Sequence, residues 1–575
     1  MSTRASGPTG GLKGDIAAAV ALAAVLGVGW TIRDWPALST LRLPDTDDVM
    51  RLQQVRDWLG GQRWSDLTQH RLGAAGSGGV PMHWSRLADL GPAALIEGAM
   101  PLAGRHAAEL AAVIVWPIAL FALALTLVAR IARTVAGPGP ARTAVVVAAV
   151  AYPATTIFLP GRIDHHGLQL ALLLGALLAT IGAPTLRRGL AAGGCAAASL
   201  VVGLETAPLL GVLGAAAAAC WASGETGAER RLVGWAVGAL AGLAIGRVVF
   251  APDAFAYPAC DGFTLDAWRA AAVAGAGALV LGAVGLARPP VPLRLRWIAT
   301  ILVGGGAAVA AVAVSPRCLA PYGAVDPLLV RLWLSHVGEA QSLVAAPIAT
   351  AIGYAGVMLA GLVATLWRVR TAPSRAWATL LAVQVATLLV TAMQLRGAYA
   401  GAMLGAPALA AAIVAARARS ALALAGTWLA SAGMLYPIAA AAGTRASGGA
   451  ADTGCSAPAV IARLAVLPPG TLLAPIDTGA WAIAATRLRL VSAPYHRDNA
   501  GNLAAYRFFL GPSGDAGRPL VDAWNVRYVL ACDGDLSAMG AGTATMARRL
   551  ATAHQPRWLM PLPAPAGAHL YAVRR

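Results

Sequence analysis

Charge is what this chain has little of. Of its 575 residues only 12% are charged, about half the ~25% usual in a soluble domain. Lysine is almost missing: Lys13 is the only one, so the net charge of +18 is carried by arginine. The arginines are not gathered in patches with aromatic neighbours, which argues against nucleic-acid binding. No small-residue cleavage pattern follows the first apolar run, so that run is expected to stay as a helix and not to be removed as a signal peptide. What is abundant is apolar: 58% of residues are hydrophobic and the mean hydropathy is +0.65. Long runs of Ala, Leu, Val and Gly recur from residue 15 to residue 441, which is the pattern of a polytopic membrane protein. Beyond residue 442 no run reaches membrane length, and the remaining ~130 residues have the size of a separate soluble domain.

About thirteen apolar runs stand out, with ends uncertain by ~3 residues. They cover 15–31, 110–129, 142–159, 167–186, 189–203, 206–222, 232–250, 268–287, 296–315, 344–366, 376–393, 400–416 and 419–440. If the N-terminus with Arg4 and Lys13 is cytoplasmic, every returning loop carries arginine: Arg130/Arg133/Arg142, Arg187/Arg188, Arg230/Arg231, Arg288/Arg294/Arg296, Arg368/Arg370/Arg375 and Arg417/Arg419. That is the positive-inside pattern of a bacterial inner membrane protein. The opposite, periplasmic side then receives residues 32–109, 160–166, 251–267, 316–343, 394–399 and the C-terminal domain 443–575. The expected architecture is therefore mainly α: a transmembrane domain over 1–442 with about 13 helices, followed by a small periplasmic α/β domain. Cys260 and Cys318, and Cys455 and Cys532, fall on that same side, where an oxidising compartment permits disulfides. Cys195 and Cys220 fall within apolar runs and read as small buried residues.

Carboxylates gather on the same side. The first outer loop opens with Asp45, Asp47 and Asp48 in DTDDVMR. Such crowding is relieved by a divalent cation with oxygen ligands, or the acids cap the helix that follows. Val49, Leu52, Val55, Trp58 and Leu59 have helical spacing, as in an amphipathic helix lying on the membrane face. A short loop, GRIDHHGLQ, sets Arg162, Asp164, His165 and His166 at a helix end, where Asp and His together suit a metal or simply separate two helices. Glu339 in SHVGEAQS adds another acid before the next apolar run.

Together these motifs resemble the catalytic subunit of oligosaccharyltransferases, within the C-type (GT-C) membrane glycosyltransferases. DTDDVMR is similar to the family's first acidic motif, GRIDHHGLQ to the Asp-His-His form of its second, and SHVGEAQ to its Ser-Val-Ser-Glu-type motif. The resemblance implies a sugar or oligosaccharide moved from a polyprenyl phosphate or pyrophosphate donor to a periplasmic acceptor, with a divalent ion, Mn²⁺ or Mg²⁺, assisting. It implies Asp47 as the catalytic carboxylate, itself also a metal ligand, and Asp164, His166 and Glu339 as further metal ligands, with His165 assisting and Asp45 and Asp48 as helpers. Arg396, in QLRGAY with Tyr399, matches the family's phosphate-contacting arginine; Arg162 is a second candidate. The family's Trp-Trp-Asp-Tyr-Gly acceptor motif has no counterpart, the nearest string being Ala480-Trp481-Ala482, so the acceptor stays open.

Two further strings carry polar groups. His83 and Arg86, beside Trp84, can contact a sugar, or Trp84 anchors the chain at the membrane interface. His496 and Arg497 follow Tyr495 as site helpers or as part of a polar turn. In the C-terminal stretch, Gly470–Ala474, Arg487–Ser492 and Arg527–Cys532 read as strands, and Ala457–Ala465 and Gly540–His554 as helices. Two other functions compete with transfer. A flippase of lipid-linked sugars places polar groups at mid-membrane and often shows inverted repeats; no repeat is seen, and Glu205 is the main hint toward it. An inactive scaffold would tolerate loss of each acidic residue.

Overall fold

The computed structural model describes residues 11–74, 76–287, 290–320, 322–442, 454–533, 545–552 and 554–574. Arg4, Arg288, the 442/443 boundary region on its C-terminal side and residues 540–544 of the expected last helix lie outside the described residues. The chain divides into two compact units: Met1–Leu41, Trp84–Pro321 and His336–Arg445 form one, and Arg42–His83, Tyr322–Ser335 and Ala446–Arg575 the other. The second unit is thus wider than a C-terminal domain beginning at 443. It draws in part of the first long loop and the stretch ahead of Glu339.

The first unit is helical. Each apolar run of the sequence contains helix, but among the described residues eight helices are long and apolar enough to cross a membrane, or up to nine if one bent pair is a single span. They are Leu12–Arg33, Arg86–Ala136, Ala228–Val249, Leu265–Gly285, Leu293–Val314, Ile348–Thr371, Arg375–Met393 and Gly397–Arg417. The bent pair, Ala421–Ser431 and Leu435–Ala442, turns by 83°. His166–Ile181 and Ala207–Ala222 are apolar but shorter. The run at 142–159 is broken into a helix, Ala141–Ala149, and a 3₁₀ turn, Ala154–Phe158. The 51-residue helix Arg86–Ala136 is likewise two helices meeting at Gly104, whose φ of +76° only glycine adopts readily. The segment before that break is a helix of its own within the expected first loop.

Helices in this unit approach closely where glycine removes the side chain. A Cβ on Gly189 would lie 2.1 Å from the Arg231 carbonyl, and one on Gly193 2.0 Å from the Trp235 carbonyl. Gly234 and Gly238 on the facing helix make the reciprocal approach to the Leu186 and Leu190 carbonyls, at 2.4 Å each. Two glycines four residues apart on each helix make a small-residue seam. In a membrane, where burial of apolar surface does not drive association, such contact supplies it through dispersion. At one end Asp15, buried, pairs with Arg133, with Arg142 Nε 3.9 Å away. Phe121, Phe158, Leu173, Leu174, Leu409 and Ile413 lie in the core.

The second unit is mixed α/β. The strands are β1 (Thr68–Gln69), β2 (Val80–Pro81), β3 (Thr471–Leu473), β4 (Arg489–Leu490), β5 (Val526–Cys532), β6 (Leu559–Leu562) and β7 (Ala568–Val573). β1 and β2 pair antiparallel; the others form one sheet in the order β4-β3-β5-β7-β6. β3 runs parallel to both β4 and β5, while β7 is antiparallel to β5 and β6. The first-loop segment adds to the sheet edge: the Gly73 amide donates to the Leu490 carbonyl at 2.9 Å and the Leu490 amide to Arg71 at 2.8 Å. That edge is therefore covered. Val491, Phe508, Phe509, Val529, Met546 and Tyr571 fill the core.

The helix Thr46–Leu59 forms where its apolar spacing requires, but it does not rest one face on a bilayer. Every residue from Asp48 to Val55 is buried, and the helix packs against Thr478–Ala485 in its own unit. The polar residues Arg51, Gln53 and Gln54 are enclosed as well; a helix covered on its polar side too is a packed element and not an interfacial one. Both expected disulfides are formed, Cys260–Cys318 in the first unit and Cys455–Cys532 in the second.

Candidate functional site

In the first unit, four separate stretches of chain bring polar groups to one place. Asp164, His165 and His166 lie at the start of the helix His166–Ile181. Glu205 lies between Leu186–Val202 and Ala207–Ala222. Glu339 sits in a 3₁₀ turn, Gly338–Ala340. Arg396 immediately precedes Gly397–Arg417, and Tyr399 lies in its first turn. Three helices thus begin at the cluster, and helix N-termini favour negative charge. Backbone pairing joins the last two stretches: the Arg396 amide donates to the Glu339 carbonyl at 3.1 Å and Leu395 to Gln341 at 2.9 Å.

The side chains form a connected network. His165 Nδ1 is 2.6 Å from Asp164 Oδ1 and its Nε2 is 2.9 Å from Glu205 Oε1. Gln169 donates to Glu205 Oε2 at 2.7 Å. His166 Nε2 lies 3.3 Å from Asp164 Oδ2 and 3.6 Å from Glu339 Oε2. Arg396 spans two carboxylates, with Nη2 3.4 Å from Glu339 and Nη1 3.8 Å from Glu205. The Tyr399 hydroxyl reaches Glu339 Oε2 at 3.5 Å. Asp164, His165 and His166 are all buried.

Such density of charge away from water shifts the groups. Burial opposes the charge of His165, but Asp164 and Glu205 raise it, to about 10. Burial likewise opposes ionisation of Glu339, yet Arg396 and His166 hold it down at about 2. Glu205 is held well below the usual carboxylate range by His165 against the same burial. Glu205 and Glu339 are therefore anionic at neutral pH.

Asp164, His165 and His166 offer one ligand atom each, all within 4.8 Å of one another. Ligand atoms ~2.0–2.2 Å from one divalent ion stand ~3–3.5 Å apart, and His166 Nε2 and Asp164 Oδ2, 3.3 Å apart, have that spacing. Carboxylate oxygen with imidazole nitrogen is a donor set suited to a first-row divalent metal. The residues present fit such an ion.

The remaining candidates lie elsewhere. Arg162 is half-buried, in the turn just ahead of Asp164. Asp45, Asp47 and Asp48 belong to the second unit. Asp45 is the N-cap of Thr46–Leu59, its Oδ1 accepting from the Asp47 amide at 3.2 Å. Asp47 is half-buried and Asp48 fully buried. Capping, one of the two sequence readings, is thus what Asp45 does. His83 and His496 stack, with ring centroids 4.6 Å apart, and His496 also meets Tyr322 at 5.2 Å. Arg497 donates to the Met82 carbonyl at 3.1 Å, and the Tyr495 hydroxyl to the Thr46 carbonyl at 3.0 Å. This polar string clamps the first-loop segment to the sheet. Arg86 pairs with Asp89 at 3.2 Å, both buried, in the first unit, so its guanidinium is occupied inside the protein and not presented to a sugar.

Sequence reasoning treated Glu205 as an outlier pointing to transport, and Gln169 not at all. Both belong to the carboxylate–imidazole network. The one signal available was the position of Glu205 in the short break between two apolar runs, the same kind of place that holds Asp164.

No family model matches the chain, and no curated protein matches it in sequence. Solved structures do match. The oligosaccharyltransferase of Archaeoglobus fulgidus in its apo form superposes with a TM-score of 0.66 at 16% identity, over 97% of this chain and 74% of that one. The archaeal oligosaccharyltransferase AglB from the same organism, in complex with an inhibitory peptide and a dolichol-phosphate, gives 0.62 at 15% identity, over 97% and 74%. A complex of the A. fulgidus enzyme with Zn and sulfate gives 0.61 at 15%, over 97% and 73%. At such identity the likeness is one of fold: this chain shares the fold of these oligosaccharyltransferase structures over 97% of its length, a resemblance that the motifs also carry.

Proposed function

We propose that this protein is a multi-pass membrane glycosyltransferase that moves a sugar or oligosaccharide from a polyprenyl-phosphate or pyrophosphate donor to an acceptor on the outer face of a bacterial inner membrane. The observation that carries this reading is the convergence of Asp164, His166 and Glu339, with Arg396 beside Glu339. An arginine flanking a candidate metal site is suited to a phosphate, which a guanidinium binds in a planar, two-pronged fashion. The dolichol-phosphate held by the archaeal enzyme of the same fold is a ligand of that class.

In this reading Asp164, His166 and Glu339 hold a divalent ion, Mn²⁺ or Mg²⁺, which when bound supplies positive charge for a leaving phosphate. Arg396 binds that phosphate, with Arg162 as a second contact. Asp47 orients the acceptor nucleophile and takes its proton. The N-terminus is cytoplasmic and the second unit periplasmic, where the disulfides are kept oxidised. The thirteen-span reading belongs here too, with the shorter and broken helices counted as spans. The acceptor stays open, the sequence carrying no Trp-Trp-Asp-Tyr-Gly string.

The test is transfer of sugar from a polyprenyl-linked donor by the purified chain, with Mn²⁺, with Mg²⁺ and with a chelator. Metal-dependent transfer supports the reading. Translocation of the lipid in liposomes without any transfer would establish a flippase instead.

A further inference from the structure

Glu205 lies outside every acidic motif of the sequence, yet both its oxygens are engaged at the candidate site. Oε1 accepts from His165 Nε2 at 2.9 Å, Oε2 from Gln169 Nε2 at 2.7 Å, and Arg396 Nη1 stands 3.8 Å from Oε1. His165 passes the contact on, its Nδ1 lying 2.6 Å from Asp164 Oδ1. Both nitrogens of that ring are committed to carboxylates, and an imidazole ligates a metal only through a nitrogen that has a lone pair to give. His166 is placed differently: its Nε2 stands between Asp164 Oδ2 and Glu339 Oε2, at 3.3 and 3.6 Å.

The backbone beside Glu205 is shaped for this arrangement. A Cβ on Gly203 would fall 2.5 Å from Glu205 Oε2, 2.8 Å from Gln169 Nε2 and 3.3 Å from the His165 ring. The chain passes so close to the network that any side chain at 203 would displace it.

We propose that Glu205 is a positioning residue for the metal-ligating carboxylate of Asp164, acting through His165. This rests on the metal reading above. Chains of carboxylate, imidazole and ligand fix the orientation and basicity of the ligating oxygen, and breaking such outer contacts typically weakens a metal by ~10–100-fold.

Mn²⁺ binding to the purified full-length protein tests it, with electron paramagnetic resonance for affinity and electron spin-echo modulation for directly bonded nitrogen. One imidazole nitrogen is expected in the wild type. His165→Asn should keep that nitrogen and His166→Asn should abolish it. Glu205→Gln, of unchanged size, should weaken Mn²⁺ by about tenfold with the nitrogen signal retained, and Gly203→Ala should act in the same direction. Wild-type affinity in both Glu205→Gln and Gly203→Ala overturns the positioning role while leaving the metal reading intact. Loss of the nitrogen signal in His165→Asn overturns the role of His165 as intermediary. A wild-type protein that takes up no Mn²⁺ removes the metal reading, and this inference with it.

Discussion

The two units hold their acids in opposite ways. In the first, Asp164, Glu205 and Glu339 come from distant parts of the chain, and each meets an imidazole or a guanidinium. In the second, Asp45, Asp47 and Asp48 are near neighbours at the first turn of one helix, where Asp45 caps the backbone. The first grouping exists only through tertiary contacts; the second is already set by acids adjacent in sequence at a helix N-terminus, where backbone amides and the dipole favour them. The first arrangement suits binding of an ion and a phosphate, which demand charges fixed in advance. The second sets the backbone position of Asp47 by helix geometry.

The sharpest way to break that contrast is Asp47→Asn. It keeps the side chain's size and is expected to lower kcat for sugar transfer by ~10²–10⁴-fold, the usual loss on removing a general base. Purified variant and wild type should unfold at the same temperature. Retained transfer would remove Asp47 from the chemistry.

Arg396→Ala probes the networked unit and should have the next largest effect. Losing a charge-assisted contact of ~1.5–3 kcal/mol raises KM for the lipid donor by roughly 10–100-fold, with kcat less affected. Arg396→Lys should recover part of the loss, since lysine restores charge but not the planar fork. Equal KM in wild type and Arg396→Ala would remove the arginine from donor binding.

A smaller change concerns what holds the helix of Asp47 in place. Tyr495→Phe deletes the hydroxyl that donates to the Thr46 carbonyl at 3.0 Å. A cost of about 1 kcal/mol in stability is expected, visible as a lowered Tm in detergent, with transfer reduced no more than a few-fold. A collapse of activity without loss of Tm would place Tyr495 in the chemistry.

The smallest effect is a pH dependence in the second unit. Asp66 raises His70, whose Nε2 is 2.8 Å from it. Burial works against the Asp66 charge, but His70 and the Thr68 amide lower its carboxyl below 3.8. The histidine's contribution is complete below its ordinary value of 6.5 and is lost as pH rises through the raised folded value. The aspartate's is present above its ordinary range and is lost as pH falls through the lowered one. His70→Ala should therefore destabilise more near pH ~5 than at alkaline pH, where only the neutral ring's contact to the Gly78 carbonyl is left to lose. A difference in Tm that grows with pH would reverse the assignment.

Much of this was legible along the chain. Periodicity marked the helix Thr46–Leu59, and apolar runs marked the membrane helices, because both signals are local. Strands β3 and β4 fell inside the expected stretches and β5 begins one residue ahead of its own, all being short apolar runs between turn residues. β6 and β7 were not foreseen. Leu559–Leu562 includes Pro561, which reads as a strand breaker, yet β6 is an edge strand where proline is tolerated. The run at 142–159 read as one span by its apolar composition, although Pro153, a helix breaker, stands between Ala141–Ala149 and Ala154–Phe158. Asp164, His166, Glu339 and Arg396 were found by motif; Glu205 was not, since a lone acid between two apolar runs has no pattern around it.

The sequence by itself determined that the chain is a many-helix membrane protein with one mixed domain, and which residue types are available for chemistry. These follow from apolar length, arginine placement and local spacing, which act over a few turns of chain. Only the tertiary structure decided that residues 42–83 join the C-terminal sheet, that the helix after Asp45 is enclosed, and that Glu205 grips His165 while His166 faces Asp164 and Glu339. Those outcomes depend on which distant segments meet. Hydrogen bonds and ion pairs across tens or hundreds of residues leave no periodic trace in the segments that make them.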